Sequence, residues 1–251
     1  SAAGATFRSQ IRKAVRAADS VVYPSREMRV AQFNALFPSH DTHDGGHDVL
    51  NKAMVVPHGV PRYFDDVNDG ERRDGWLLWP VSPERGLAEL LRMLPSLRNA
   101  VKSRGGDFRV VVCHLRGGYH ENTKLELPDD VVFAGMLPPK RLAAMLRSCA
   151  LFVFPSAVPE AFSLATWECA LHGVVPVVYG LGALAALGRV GCPCVAPGDA
   201  AALEAAAVSL LASPAAAAAR RRDVVARARA AARDWAGTAR FWEATALRAP
   251  S

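Results

Sequence analysis

The sequence predicts an α/β protein built on a doubly wound parallel sheet. Three observations carry that reading. Short, wholly apolar, β-branched runs recur along the chain, as strands buried on both faces do. Longer segments with apolar residues at helical spacing lie between them. From Trp76 onward the two kinds of segment alternate strictly, the pattern of parallel strands joined by crossover helices.

The elements follow in order. Residues 21–24 form a first short apolar run, a strand. Residues 25–37 follow with Met28, Phe33, Leu36 and Phe37 at helical spacing and Ser25 placed to cap. Residues 38–48 are a polar loop, and 53–57 are apolar again, stopping at Pro57-His58-Gly59. Residues 62–75 are charged and punctuated by Gly, a linker by composition. Strands are then expected at 76–79, 108–114, 131–134, 151–154, 175–179 and 194–196. Helices are expected at 84–103, 140–149, 163–172, 183–187 and 200–211. Pro214 breaks the chain, and 215–247 reads as one or two terminal helices. The whole is a Rossmann-like sheet of about six parallel strands with an incomplete N-terminal appendage.

Composition narrows the class. The 251 residues are 51% hydrophobic and 22% charged, with mean hydropathy +0.08, which excludes disorder, collagen and a disulfide scaffold. No apolar run reaches the roughly 18–20 residues of a membrane span, and residues 1–10 lack the apolar core of a signal peptide. A chain starting at Ser reads as a fragment or a processed product. The formal charge is +6 and the pI about 9.3. Lys13, Lys52, Lys102, Lys124 and Lys140 are the lysines among 30 basic residues; all the rest are arginine. Arginine favours phosphate and carboxylate partners, so the balance admits a phosphate-bearing ligand, a nucleic acid or peripheral contact with an anionic membrane. Arg- and Ala-rich genome bias accounts for the same charge. No helix-turn-helix, finger or RNA-binding motif is present, so nucleic acid is not an expected partner. Cys113, Cys149 and Cys169 lie in apolar surroundings, and Cys192-Pro193-Cys194 has the wrong spacing for a zinc or thioredoxin-like motif. A reducing, cytoplasmic compartment follows.

In such sheets ligands bind beyond the carboxyl ends of the strands. The richest segment is Pro155-Ser-Ala-Val-Pro-Glu160-Ala-Phe-Ser-Leu164, leading into a helix that carries Glu168. The amides of Phe162, Ser163 and Leu164 belong to that helix start, an anion site by its free N–H groups. By themselves Glu160 and Glu168 read equally as a dipole partner and a solvated helix residue. After the first strand of the sheet come Pro80, Ser82-Pro83-Glu84-Arg85-Gly86, with Arg85 at a helix start. After the third come Gly135-Met136. After the second comes Arg116-Gly117-Gly118, in which Arg116 is either a phosphate contact or a surface loop residue. His40, His43 and His47 with Asp41, Asp44 and Asp48 have the look of a metal cluster, but Gly45-Gly46 argues against one helical face, and a solvated loop is the expectation.

The run Pro-Glu160-x-Phe-x-Leu, then Glu168, then His172-Gly173-Val-Val-Pro176-Val-Val, resembles the retaining GT-B glycosyltransferases, closest to the large family 4 type. Pro57-His58-Gly59-Val60 resembles their Pro-Asn-Gly-Val hinge, and Asp234-Trp235 with Phe241-Trp242 resembles their terminal crossover helix. The resemblance implies the donor half of a GT-B fold with a partial N-terminal domain. Residues 1–59 would be the acceptor-domain remnant and hinge, 60–230 the donor-binding domain, and 231–251 the crossover helix. It implies transfer of a sugar from a nucleoside diphosphate-sugar, with retention, to an unknown sugar, lipid or protein acceptor. Glu160 would contact the donor sugar, Glu168 the ribose, and the amides at 162–164 the sugar and diphosphate. Arg85 would meet the diphosphate, and Met136 would lie along the base. Neither metal nor other cofactor is implied. The family usually has Gly at the places of Ala161 and Ser163, and Arg at the place of Pro80. The alternative is a non-catalytic sugar-nucleotide-binding module without an acceptor domain.

Overall fold

Parallel pairing organises every strand among the described residues. The computed structural model describes residues 2–18, 20–36, 51–63, 72–113 and 127–245. They fall into two units: Ser1–Gly59, Glu160–Phe162 and Arg233–Ser251 form the first, and Val60–Pro159 with Ser163–Ala232 form the second.

In the first unit, helix α1 (Ala2–Ala17) occupies a stretch where the sequence pattern placed no element. Strand β1 (Val21–Tyr23) leads into α2 (Arg26–Leu36), and the Ser25 hydroxyl accepts from the Met28 amide at 3.1 Å, the cap expected of it. Ile11 and Val15 of α1 pack with Phe33 against buried Leu36, and Arg12 donates to the Leu36 carbonyl. Strand β2 (Ala53–Val55) pairs with β1, Val21 opposite Ala53.

The second unit holds the six-stranded sheet, all parallel, in the order β5-β4-β3-β6-β7-β8. Strand β3 (Arg73–Trp79) is longer than its apolar run. Its charged start, which composition assigned to a linker, is recruited by pairing of Arg73 with Cys149, and the register shifts between there and Leu77. A 3-10 turn, Pro83–Arg85, follows and ends at Gly86 (φ 118) before α3 (Leu87–Lys102). The expected single helix 84–103 is thus split, because Gly86 takes a left-handed conformation in which an α-helix cannot continue. Helix α3 buries Leu87, Leu90, Met93, Leu94, Leu97 and Val101 along one face. Strands β4 (Arg109–Val112) and β5 (Val131–Phe133) come next. Helix α4 (Pro139–Ser148) then runs without a break into β6 (Cys149–Phe154), which is buried throughout. Helix α5 (Leu164–Leu171), strand β7 (Val175–Tyr179), a 3-10 helix (Ala183–Val190) and strand β8 (Cys194–Val195) follow. Helices α6 (Ala200–Ala212) and α7 (Pro214–Ala231) close the unit, capped by the side chains of Asp199 and Ser213. The last helix, α8 (Trp235–Thr245), returns to the first unit, where Asp234 caps it through the Gly237 amide.

The centre of the sheet is aromatic. Trp79 meets Phe152 and Phe154 edge-on at 5.7 and 5.8 Å between centroids, and the two Phe rings stack at 4.9 Å. Truncating one such ring to Ala costs about 3–5 kcal/mol. Cys113, Cys149, Cys169 and Cys192 are buried free thiols and Cys194 is half-buried. Burial pushes Cys113, Cys149 and Cys192 up to about 12 and holds Cys169 well above the ordinary thiol range.

Candidate functional site

From β3 the chain moves outward through β4 and β5, then crosses back to place β6 on the other side of β3. The direction of winding therefore reverses between β3 and β6. In such sheets the crossover connections diverge at that point, and the crevice beyond the strand ends is the usual ligand position.

Two segments frame the crevice within the second unit. From β3 comes the turn that carries Arg85, half-buried, with its amide bonded to the Ser82 carbonyl at 3.1 Å. From β6 come Pro155 and Ser156. The Ser156 hydroxyl is wholly buried, donates to the Val158 carbonyl and accepts the Val158 amide at 3.2 and 3.3 Å, fixing the bend. The segments touch at Gly86: a Cβ there would lie 2.7 Å from the Pro155 carbonyl oxygen. Absence of a side chain at residue 86 is thus what brings the Arg85 turn against the end of β6.

Helix α5 follows from the β6 segment. Ser163 precedes it with φ 63 and ψ 74, and is the one non-glycine with positive φ among the described residues. The left-handed turn swings the chain from the loop into the helix. The Ser163 carbonyl accepts from the Trp167 amide and the Thr166 hydroxyl, while the amides of the first helical turn have no acceptor within the helix. Leu164 is exposed, 38%, at this end. Of the other residues singled out by sequence, Glu160 and buried Phe162 belong to the first unit, where Phe162 packs edge-on against His58 at 5.3 Å. Met136 follows edge strand β5 after Gly135 (φ 74) and is 66% exposed. Arg116 and the His40–His47 region lie outside the described residues.

Glu168 sits in the second turn of α5, half-buried, and burial raises its carboxyl above the ordinary value. The Tyr63 hydroxyl donates to its Oε1 at 3.0 Å and works in the opposite direction. One turn on, His172 is 1% exposed. Its Nδ1 lies 2.8 Å from the Glu168 carbonyl oxygen, and its Nε2 lies 3.0 Å from the Tyr63 amide. An amide only donates and a carbonyl only accepts, so the ring is neutral with its proton on Nδ1. Burial lowers its basicity, and the charges of Arg229, Arg147 and Arg62 act the same way. Arg72 donates to the carbonyls of Leu146, Cys149 and His172, tying the start of β3 to α4, to β6 and to the end of α5. Tyr63 and Arg72 were not singled out by sequence reasoning. Their partners lie 105 and 74 or more residues away, and no local spacing signals them.

A parallel sheet whose winding reverses at its centre and whose strands are joined by crossover helices defines the doubly wound class of α/β domain. A family model for glycosyl transferases group 1 matches residues 75–213, more than half of the chain, and the chain belongs to that family. Its fold is that of the GT-B glycosyltransferases, with a six-stranded parallel sheet flanked by helices. A sucrose-phosphate synthase from Thermosynechococcus elongatus superposes with TM-score 0.68 at 19% identity, over 95% of this chain and 60% of that one. HepE from Anabaena, solved with UDP and glucose, gives 0.66 at 19% identity over 95% and 67%. A trehalose 6-phosphate synthase from Burkholderia multivorans gives 0.64 at 17% identity over 94% and 61%. The chain thus spans about 60% of the length of the first of these. Comparison with curated proteins gave no significant match. No single helix among the described residues is long and apolar enough to cross a membrane.

Proposed function

We propose that this chain is the nucleotide-sugar-binding portion of a glycosyltransferase that moves a sugar from a nucleoside diphosphate to an acceptor with retention. The observation that carries it is the close approach of Gly86 to Pro155, which joins the Arg85 turn to the strand end leading into α5. Arg85 supplies positive charge to the diphosphate, and the α5 start supplies N–H donors to the same group. As the leaving diphosphate gains charge in the transition state, these donors stabilise it more than they stabilise the bound donor, the requirement for catalysis. Glu168 accepts from the ribose hydroxyls, and Glu160 orients the transferred sugar without attacking it. With no enzyme nucleophile in the scheme, the acceptor attacks from the face that the diphosphate leaves, and the diphosphate takes its proton. Met136 and the turn after β5 run along the base. Residues 60–230 form the donor domain in this reading, 1–59 belong to the acceptor side, and 231–251 to the crossover helix. The support is the family membership and the crevice geometry; UDP and glucose are bound by the Anabaena neighbour.

Calorimetric titration with UDP, GDP and ADP tests the reading. One nucleoside diphosphate binds, and Arg85→Ala weakens it by about tenfold or more, as loss of a charged hydrogen bond does. Absence of binding by all three overturns it. NMR of the product anomer, made with the matching donor sugar, decides between retention and inversion.

A further inference from the structure

Resting on the donor-binding reading above, we infer that Tyr63 is a positioning residue for Glu168: its hydroxyl holds the carboxylate in the orientation that receives the ribose diol. Tyr63 lies four residues past Gly59, in the segment that leads toward β3. It is attached to α5 at two points one helical turn apart. The backbone amide bonds His172 Nε2 at 3.0 Å, and the hydroxyl bonds Glu168 Oε1 at 3.0 Å. The Tyr63 and His172 rings pack at 5.3 Å with a 38° tilt. The first attachment is itself fixed, because His172 is locked through Nδ1 to the Glu168 carbonyl and its own carbonyl takes a bond from Arg72.

The two attachments do different work. The amide bond and the ring contact hold the segment on α5 without touching the carboxylate. The hydroxyl adds to that anchoring and alone reaches a carboxylate oxygen, so it alone sets the carboxylate's orientation. A carboxylate has room for about four hydrogen bonds. The phenol takes one on Oε1 and leaves Oε2 and the remaining lone pair for two donors. A vicinal diol offers two such O–H donors at matching spacing, and it needs an ionised acceptor. Burial favours the neutral carboxyl, and the phenol opposes burial by donating to the anion. The phenol keeps its own proton: burial, the Glu168 charge and the hydrogen bond raise it to about 12. Among the described residues, the titratable groups that sense the Glu168 charge are this phenol and the buried Cys169 thiol beside it.

Tyr63→Phe removes the hydroxyl and keeps the ring and the amide. In the full 251-residue chain, wild type and variant are titrated with UDP, GDP and ADP and with their 2′-deoxy counterparts. The expected result is a loss of about tenfold for the preferred ribonucleotide and less than twofold for its 2′-deoxy form. Replacement of Tyr63 by 4-fluorophenylalanine, whose fluorine fills the hydroxyl's place and donates no hydrogen bond, gives the same selective loss and decides the matter if Tyr63→Phe does not fold. Carbon-13 NMR of the Glu168 carboxyl, without nucleotide, shows its titration midpoint rising in Tyr63→Phe. Equal losses for ribo and deoxy forms, or an unmoved midpoint, overturn the role while leaving the donor-binding reading intact. A wild-type chain that binds none of the six nucleotides overturns that reading, and this role with it.

Discussion

Ser163 holds a left-handed backbone conformation that a Cβ disfavours by roughly 1–2 kcal/mol. Ser163→Gly removes that penalty and gives back part of it as chain entropy in the unfolded state. A net gain of about 0.5–1 kcal/mol is expected, read as a higher urea midpoint at unchanged slope. Glu168 carries a second cost. Its carboxyl is raised in the folded chain, so the folded state binds that proton more tightly than the unfolded one. The stability this lends is present below the unfolded value of about 4.5 and is lost as pH rises through the folded value. Glu168→Gln is therefore expected to be more stable than wild type at neutral pH, with the difference closing in acid, while nucleotide affinity falls. Paired unfolding curves across pH check both halves. The placement of Arg85, Ser163 and Glu168 after strand ends was legible, because apolar runs and Pro–Gly punctuation mark those ends. The Tyr63 hydroxyl was not, because a bond spanning 105 residues leaves no trace in local pattern.

At the scale of elements, six strands and their alternating helices were readable from apolar runs alone, and their parallel pairing follows from that alternation. What could not be read were places where the backbone, not the side chains, decides. Gly86 splits an otherwise continuous helical pattern, and the apolar residues on each side keep their spacing across the break. The 3-10 character of Ala183–Val190 is hidden in the same way, since Leu184 and Leu187 suit either helix. Arg73 joins β3 through pairing with a distant strand, against its own charge. Gly86→Ala tests the first of these. Positive φ and the 2.7 Å approach to Pro155 together predict a destabilisation of about 1–3 kcal/mol. The same change displaces Arg85, so nucleotide affinity is expected to fall more than in Gly105→Ala, a control that shares the positive φ (75°) but where a Cβ meets nothing within 4 Å.

For the whole molecule, a ligand that binds only the folded chain stabilises it by mass action, about 2.7 kcal/mol at a hundredfold excess over Kd. A melting screen with UDP, GDP and ADP should therefore show one nucleotide raising the midpoint. Part of that shift should disappear as salt is raised, because the formal charge of +6 and the contact proposed for Arg85 both favour an anion.

The buried thiols turn the sheet into its own recorder. A thiol pushed up to about 12 stays protonated, and a protonated thiol does not react with electrophiles. Each therefore becomes reactive only while its surroundings open. Cys149 begins the central strand β6, Cys169 is in α5, and Cys192 and Cys194 flank and form the two-residue edge strand β8. Slow alkylation followed by mass spectrometry would time-stamp those openings one strand at a time. The edge would be marked first, and Cys149 last, at the rate of global unfolding.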